Sequence, residues 1–288
     1  MRRAAIDKPV LSARTIEPVA DVISARLQRR ARPRDATPSG DMPVDLSVAP
    51  IAVDSALRYA FVIDLIRPIW RPGMDILEVG SGAAGISAFL KVPVTGVDTA
   101  FERTEPMATP YLERVEASAD SLPFDNESFD VALSLEMLEH IPAAARPAVL
   151  RELFRVLRPG GRMVVTFPAD EAARRLDNRL NDAYRKRYGR DHPWVAEHIT
   201  EGVPGTDATV KLTQEVVGDA GTVTAHKHDP ARSWLMHQML YGARRWYVPA
   251  LLTGLHSRPG ATVVFKLARR MGGGDHYRTV LVVDKTRE

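Results

Sequence analysis

The sequence predicts an α/β fold in which a mostly parallel sheet is covered by helices on both faces. Strand-sized apolar runs recur at Asp75–Val79, Val92–Val97, Phe129–Leu133 and Met163–Phe167. Helical patterns stand between them, as parallel strands require for their crossovers. The first run ends in Gly80-Ser81-Gly82, where a strand turns sharply into the next element.

The elements follow in order. Residues 1–43 read as a basic tail with one short helix, in which Val19, Val22, Ile23 and Leu27 form a stripe behind Pro18. Residues 44–288 read as one domain. Its first helix, Asp54–Ile69, is apolar on much of its surface and stops at Arg71-Pro72-Gly73. A helix over Gly85–Lys91 follows the glycine turn. A further helix, Ala144–Val156, ends at Leu157-Arg158-Pro159-Gly160-Gly161, a stop and turn. Charged residues dominate the helix expected at Asp170–Tyr188. Another helix, Asp207–Gly218, precedes a strand at Thr222–His226. A long helical pattern spans Ser233–Leu255, and His276–Asp284 closes the sheet.

Composition narrows the function classes. The 288 residues are 45% hydrophobic and 26% charged, so a large core can form. There is no cysteine, which removes disulfides, thiolate metal sites and cysteine nucleophiles. The first 43 residues hold nine basic and five acidic side chains, a surplus of four positive charges in a chain of net +3. The basicity therefore belongs to the tail, and the body has no dedicated nucleic-acid groove. No apolar run is long enough for a transmembrane span, and no secretory signal follows Met1-Arg2-Arg3. A cytoplasmic protein is expected.

The chemistry centres on Leu77-Glu78-Val79-Gly80-Ser81-Gly82-Ala83-Ala84-Gly85. Gly80 permits the turn, Gly82 admits a ligand to the backbone, and Gly85 allows close packing. Backbone N–H groups at the helix start can meet an anionic group. Asp98 ends the next strand, where a carboxylate can accept both hydroxyls of a ribose. So far NAD and S-adenosylmethionine (SAM) fit equally. Glu78 favours SAM, since it occupies a place where a nicotinamide site has an apolar residue. Asp120-Ser121-Leu122-Pro123-Phe124 adds a carboxylate for an adenine amino group. Ser134-Leu135-Glu136-Met137-Leu138-Glu139-His140-Ile141 and the Pro159-Gly160-Gly161 turn complete the set.

On these five ordered blocks, over about residues 75–168, the chain resembles the class I SAM-dependent methyltransferases, close to the subgroup with ubiquinone-pathway enzymes. The resemblance implies a doubly wound, seven-stranded Rossmann-like sheet, mostly parallel with an antiparallel last strand, plus helical lid insertions. It implies SAM as cofactor. Gly80, Ser81 and Gly82 pass the methionine part, and Glu78 orients that loop or the amino group. Asp98 takes the ribose, Asp120 and Ser121 the adenine edge. Leu135 and Glu136 lie near the sulfonium. Pro106 and Pro110 fall where the family has a regular helix, so contacts from that stretch do not carry over.

Methyl transfer needs alignment, exclusion of water and, for a hydroxyl acceptor, removal of a proton. No metal is required, and no histidine pair shows convincing metal spacing. His226 and His228 share a strand face without an evident third ligand. Two insertions, about 169–204 and 229–274, leave from the carboxyl ends of strands and can form a lid. They hold the candidate bases His192, His198 and His237, and an aromatic set that includes Trp194, Trp234 and Tyr241. Such aromatics pack lid cores as readily as substrates. Arg244, Arg245, Lys266, Arg269 and Arg270 are compatible with an anionic or lipid-linked acceptor, or with a solvated face. The expected function is methylation of a small-molecule acceptor, on oxygen. The alternatives are an N- or C-methyltransferase, an NAD(P)-dependent oxidoreductase, and a non-catalytic partner subunit of the same fold.

Overall fold

The computed structural model describes residues 40–46, 53–101, 109–230, 234, 258–270 and 274–287. The short helix expected near Pro18, His237, Tyr241, Arg244, Arg245 and most of the pattern over 233–255 lie outside the described residues. The expected boundary after residue 43 falls inside a packed segment. Met42 is buried in the core, Val44 forms an antiparallel bridge with Leu90, and the Asp45 N–H donates to the Phe89 carbonyl at 2.8 Å.

Seven strands form one sheet: β1 Ile76–Val79, β2 Val94–Asp98, β3 Leu112–Glu116, β4 Phe129–Leu135, β5 Leu157–Pro168, β6 Gly221–Pro230 and β7 His276–Lys285. Their spatial order is β3-β2-β1-β4-β5-β7-β6. The pairs from β3 through β5 are parallel, whereas β7 runs antiparallel to both β5 and β6. The direction of the chain reverses at β1, the kind of switch point where open α/β sheets bind ligands beyond the strand ends. β1 and β4 are buried along their whole length, which is why they read as unbroken apolar runs.

The helices are α1 Val53–Ile66, α2 Arg146–Arg155, α3 Asp170–Tyr188, α4 Val195–Glu201, α5 Thr206–Val217 and α6 Arg258–Ala268. α1 and α6 pack with one sheet face to form the main core around Ile63, Ile66, Leu133 and Val164.

Three expectations are corrected. The helix after the glycine turn is only a 3-10 turn, Gly85–Ala88. The chain is pulled out of helical register where Leu90 bridges Val44 and the Lys91 N–H donates to the Pro43 carbonyl. Leu112–Glu116, where no strand was expected, forms an edge strand that buries only Val115. The stop at Leu157–Gly161 lies within β5. Between the register pairs Phe129 with Leu157 and Val131 with Arg162 the strand bulges, at Gly160 with φ +74°.

Candidate functional site

The loop after β1 is held by Glu78, which is fully buried. Its Oε2 accepts the Ile86 N–H at 2.6 Å and its Oε1 accepts the Tyr59 hydroxyl at 3.0 Å. Burial pushes its pKa up to about 7, against the opposing pull of these two donors. Glu78 thus orients the loop from beneath. Gly85, at φ +53°, leaves room for this carboxylate rather than for helix-on-strand packing, since a Cβ there would run into it. The Ile86 N–H is likewise spent on Glu78 and is not offered to an anion.

The other two glycines have different tasks. Gly80 has φ +76°, and a Cβ there would stand 2.5 Å from Met137 Cγ, so the loop lies against the segment that follows β4. Gly82 has φ +53°, and among the described residues nothing lies within 4 Å of where its Cβ would be. It presents bare backbone to open space. Asp98, half-buried at the end of β2, accepts the Gly82 N–H at 3.0 Å on Oδ2 and the Thr99 N–H at 2.8 Å on Oδ1. Each carboxylate oxygen keeps a lone pair for a further donor. Ser81 is buried.

Asp120 and Ser121 are exposed, and Asp120 accepts the Ser118 hydroxyl at 2.6 Å. Asp120 edges an open surface depression of about 540 Å³ shared with Arg151 and Phe154. Leu122 is buried, with its N–H donated to Glu152, so the fold takes up this side chain.

Leu135 is buried at the end of β4, and Glu136 follows in the left-handed region with φ +53°. Glu136 Oε1 accepts the Thr166 hydroxyl at 3.0 Å, and Oε2 pairs with Arg278 at 2.9 Å. Arg278 also meets Asp229 at 2.6 Å and Asp54 at 3.2 Å. Asp229 too has a positive φ, +56°. Two unfavourable backbone conformations bring carboxylates to one buried guanidinium, a local strain offset by ion pairing and, at Asp229, a charged hydrogen bond.

Beside this network lies a cluster that no single stretch of sequence contains. His198, on α4, turns Nδ1 to Asp177 Oδ2 at 3.0 Å, and the Tyr277 hydroxyl donates to Asp177 Oδ1 at 2.7 Å. His140 turns Nδ1 to Glu197 Oε2 at 2.7 Å. The two imidazoles lie 4.8 Å apart, and both Nε2 atoms approach Glu139 Oε1, at 4.0 Å from His140 and 3.9 Å from His198. Glu139 is buried, and its pKa is raised well above the ordinary carboxyl value, first by burial and then by Glu136.

The remaining candidates divide. His192 sits against Tyr184, and its Nδ1 accepts the Val195 N–H at 3.4 Å. Trp194 is 69% exposed, whereas Trp234 is buried and stacks on Tyr277 at 4.1 Å. Trp234 therefore belongs to a small core with Ala173, Leu176 and Tyr277. His226 and His228 pack on Phe61, and burial drives the His228 pKa down to about 3. Arg269 is engaged with Asp64 at 2.6 Å. Sequence reasoning missed Glu139 and Asp177. Asp177 could have been found, because it lies in the stripe Ala173, Leu176, Asp177, Asn181 that α3 buries.

A switch-point sheet with a reversed last strand and a glycine loop facing Asp98 defines a class I methyltransferase fold. Residues 77–165, from β1 into β5, match the family described as a methyltransferase domain, so the chain carries a methyltransferase domain over this stretch. The chain is 35% identical over 116 residues to an O-methyltransferase of Pyrenophora dematioidea, covering 36% of this chain and 42% of that protein. It is 34% identical over 118 residues to a ubiquinone/menaquinone biosynthesis C-methyltransferase of Ruegeria sp. (strain TM1040), covering 36% and 45%. It thus spans less than half the length of these curated relatives. Among solved structures, phosphoethanolamine N-methyltransferase 2 of Haemonchus contortus, in complex with S-adenosyl-L-methionine, shares the fold with a TM-score of 0.50 at 14% identity, over 80% of this chain and 52% of that one. Among the described residues no helix is long and apolar enough to cross a membrane.

Proposed function

We propose that this protein transfers the methyl group of SAM to a hydroxyl of a small-molecule acceptor. The observation that carries the reading is the open backbone at Gly82, clasped by a carboxylate, Asp98, that still has lone pairs to offer. Asp98 accepts the ribose hydroxyls, Gly80–Gly82 line the methionine part, and Asp120 with Ser121 meets the adenine edge. Leu135 and Glu136 border the sulfonium end from β4. SAM brings a methyl group on a positively charged sulfur, and so needs no activation by the protein.

The chain aligns the acceptor, excludes water and takes up the hydroxyl proton. The Glu139–His140–His198 cluster suits the last task. Glu139 and His140 follow β4, Met137 of the same segment abuts Gly80, and a buried carboxylate, Asp177, braces His198 from α3. That His–carboxylate pairing supports oxygen over carbon as the accepting atom. The positive charge of the lid is compatible with an anionic or lipid-linked acceptor. Incubation of the full chain with methyl-labelled SAM and fractionated metabolite extracts tests the reading. Label should enter a small molecule and be released again by ether- or ester-cleaving conditions. Label that resists such cleavage would indicate N- or C-methylation, and no transfer to any fraction would count against an enzyme.

A further inference from the structure

Glu139, His140 and His198 are arranged as ligands around a point none of them fills. Each offers one ligand atom, and the three atoms lie within 4.8 Å of one another. Both histidines are fixed the same way: Nδ1 is held by a carboxylate, Asp177 for His198 and Glu197 for His140, which leaves both Nε2 atoms turned to Glu139. This carboxylate–histidine pairing orients an imidazole for a metal and raises its basicity. Glu139 Oε2 is buried and has no hydrogen-bond partner among the described residues. A buried carboxyl left so is costly as a carboxylate unless it keeps a proton or meets a cation.

The frame around these atoms is stiff. Arg146 donates to the carbonyls of Leu138 and Ile141 on one side and of Glu201 and Gly202 on the other. One guanidinium thereby ties the segment bearing Glu139 and His140 to the end of the helix bearing His198. The Nε2 to Oε1 separations of 3.9 and 4.0 Å exceed the roughly 3.3 Å between ligands in a tetrahedral site with bonds of about 2.0–2.1 Å. An ion would have to draw the three side chains together by roughly half an ångström to an ångström, which needs rotation of the partly exposed His140 and a small shift of Glu139.

We propose that Glu139, His140 and His198 bind one divalent transition-metal ion, zinc being the ion best suited to two imidazoles and a carboxylate. Three protein ligands leave a coordination position open, the pattern of a reactive rather than a purely structural site. This deepens the proposed function, and rests on it only for the open position's occupant: the acceptor oxygen, whose hydroxyl the ion would acidify so that its proton passes to water, in place of direct uptake by the imidazoles, whose Nε2 atoms the ion would hold. Binding of the ion itself does not depend on that reading.

The test is metal stoichiometry of the tag-free full chain. Apoprotein is titrated with zinc and, separately, with cobalt(II), whose visible spectrum reports a site of low coordination number. SAM calorimetry on each sample shows that the donor site is folded. We expect one zinc per chain and a cobalt spectrum. Affinity should fall at least tenfold in His140→Ala and Glu139→Gln, while His226→Gln, outside the cluster, should keep it. Should Glu139→Gln fail to fold, the partly exposed His140→Ala decides. A wild-type chain that binds SAM but takes up no zinc, or variants that retain wild-type affinity, would overturn the metal site and leave the methyltransferase reading standing.

Discussion

The loop after β1 and the lid beside β4 both hold polar groups where a ligand can reach them, but by different means. On the loop side the groups are mostly backbone, shaped by three glycines at positive φ and fixed by Glu78 from below and Asp98 from the side. On the lid side they are side chains: Glu139, His140 and His198, oriented by Asp177, Glu197 and Tyr277 from three further positions. Backbone geometry suits a constant ligand recognised by shape. Side chains drawn from separate elements, His198 from an insertion, suit an acceptor that differs between relatives, as fits the O- and C-methyltransferases that match this chain. The two halves should therefore fail differently.

The largest effect is expected in the loop. Gly85→Ala forces a Cβ into the Glu78 carboxylate at φ +53°, and should cost about 2–4 kcal/mol in urea denaturation. Asp98→Ala removes charged hydrogen bonds without touching the core. It should weaken SAM binding about 10–100-fold by calorimetry, with the melting temperature little changed. On the lid side, Asp177→Asn should lower kcat about 10–100-fold and shift the pH profile while SAM affinity holds, because Asp177 acts through His198. Equal loss of SAM binding would merge the two halves into one.

Glu78 gives a pH signature to the loop half. Its pKa of about 7 in the folded protein lies above the ordinary 4.5, so the folded chain holds this proton more tightly than the unfolded chain. The associated stability is complete below pH 4.5 and is lost as pH rises through about 7. Glu78→Gln should lower stability overall yet flatten this decline in melting temperature between about pH 5 and 8. The smallest effect is expected at Asp120. It is solvated and, among the described residues, held by Ser118 alone, so Asp120→Ala should change SAM affinity no more than about threefold.

The same contrast decides what could be read from the chain. The loop half was legible because its parts are neighbours: Glu78, Gly80, Gly82 and Gly85 fall within one strand and turn, and Asp98 ends the next strand. Strand periodicity also found six of the seven strands. β3 escaped because Leu112–Glu116, an edge strand, buries Val115 and leaves Glu113, Arg114 and Glu116 to solvent or the sheet rim. The role of Gly85 was misjudged because nothing local shows that the Glu78 side chain folds back beneath it.

The lid half was legible only as a set of candidates. His198 was among them, but its partners sit on other elements, and pairing across such distances leaves no spacing to count. Asp177 on the buried stripe of α3 was the available signal, a charge where a helix meets a core. His192 and Trp194, by contrast, were attractive as neighbours in sequence. The fold places them on the lid with Tyr184 and leaves Trp194 mostly in solvent.

The central claim is that the glycine loop and Asp98 hold SAM. Calorimetric titration of the full chain with SAM and, separately, with NAD(P)H tests it most directly. The account predicts heat from SAM alone, near one equivalent per chain, and a loss of at least tenfold in affinity in Asp98→Ala. Heat from NAD(P)H alone, or unchanged SAM affinity in Asp98→Ala, would contradict it.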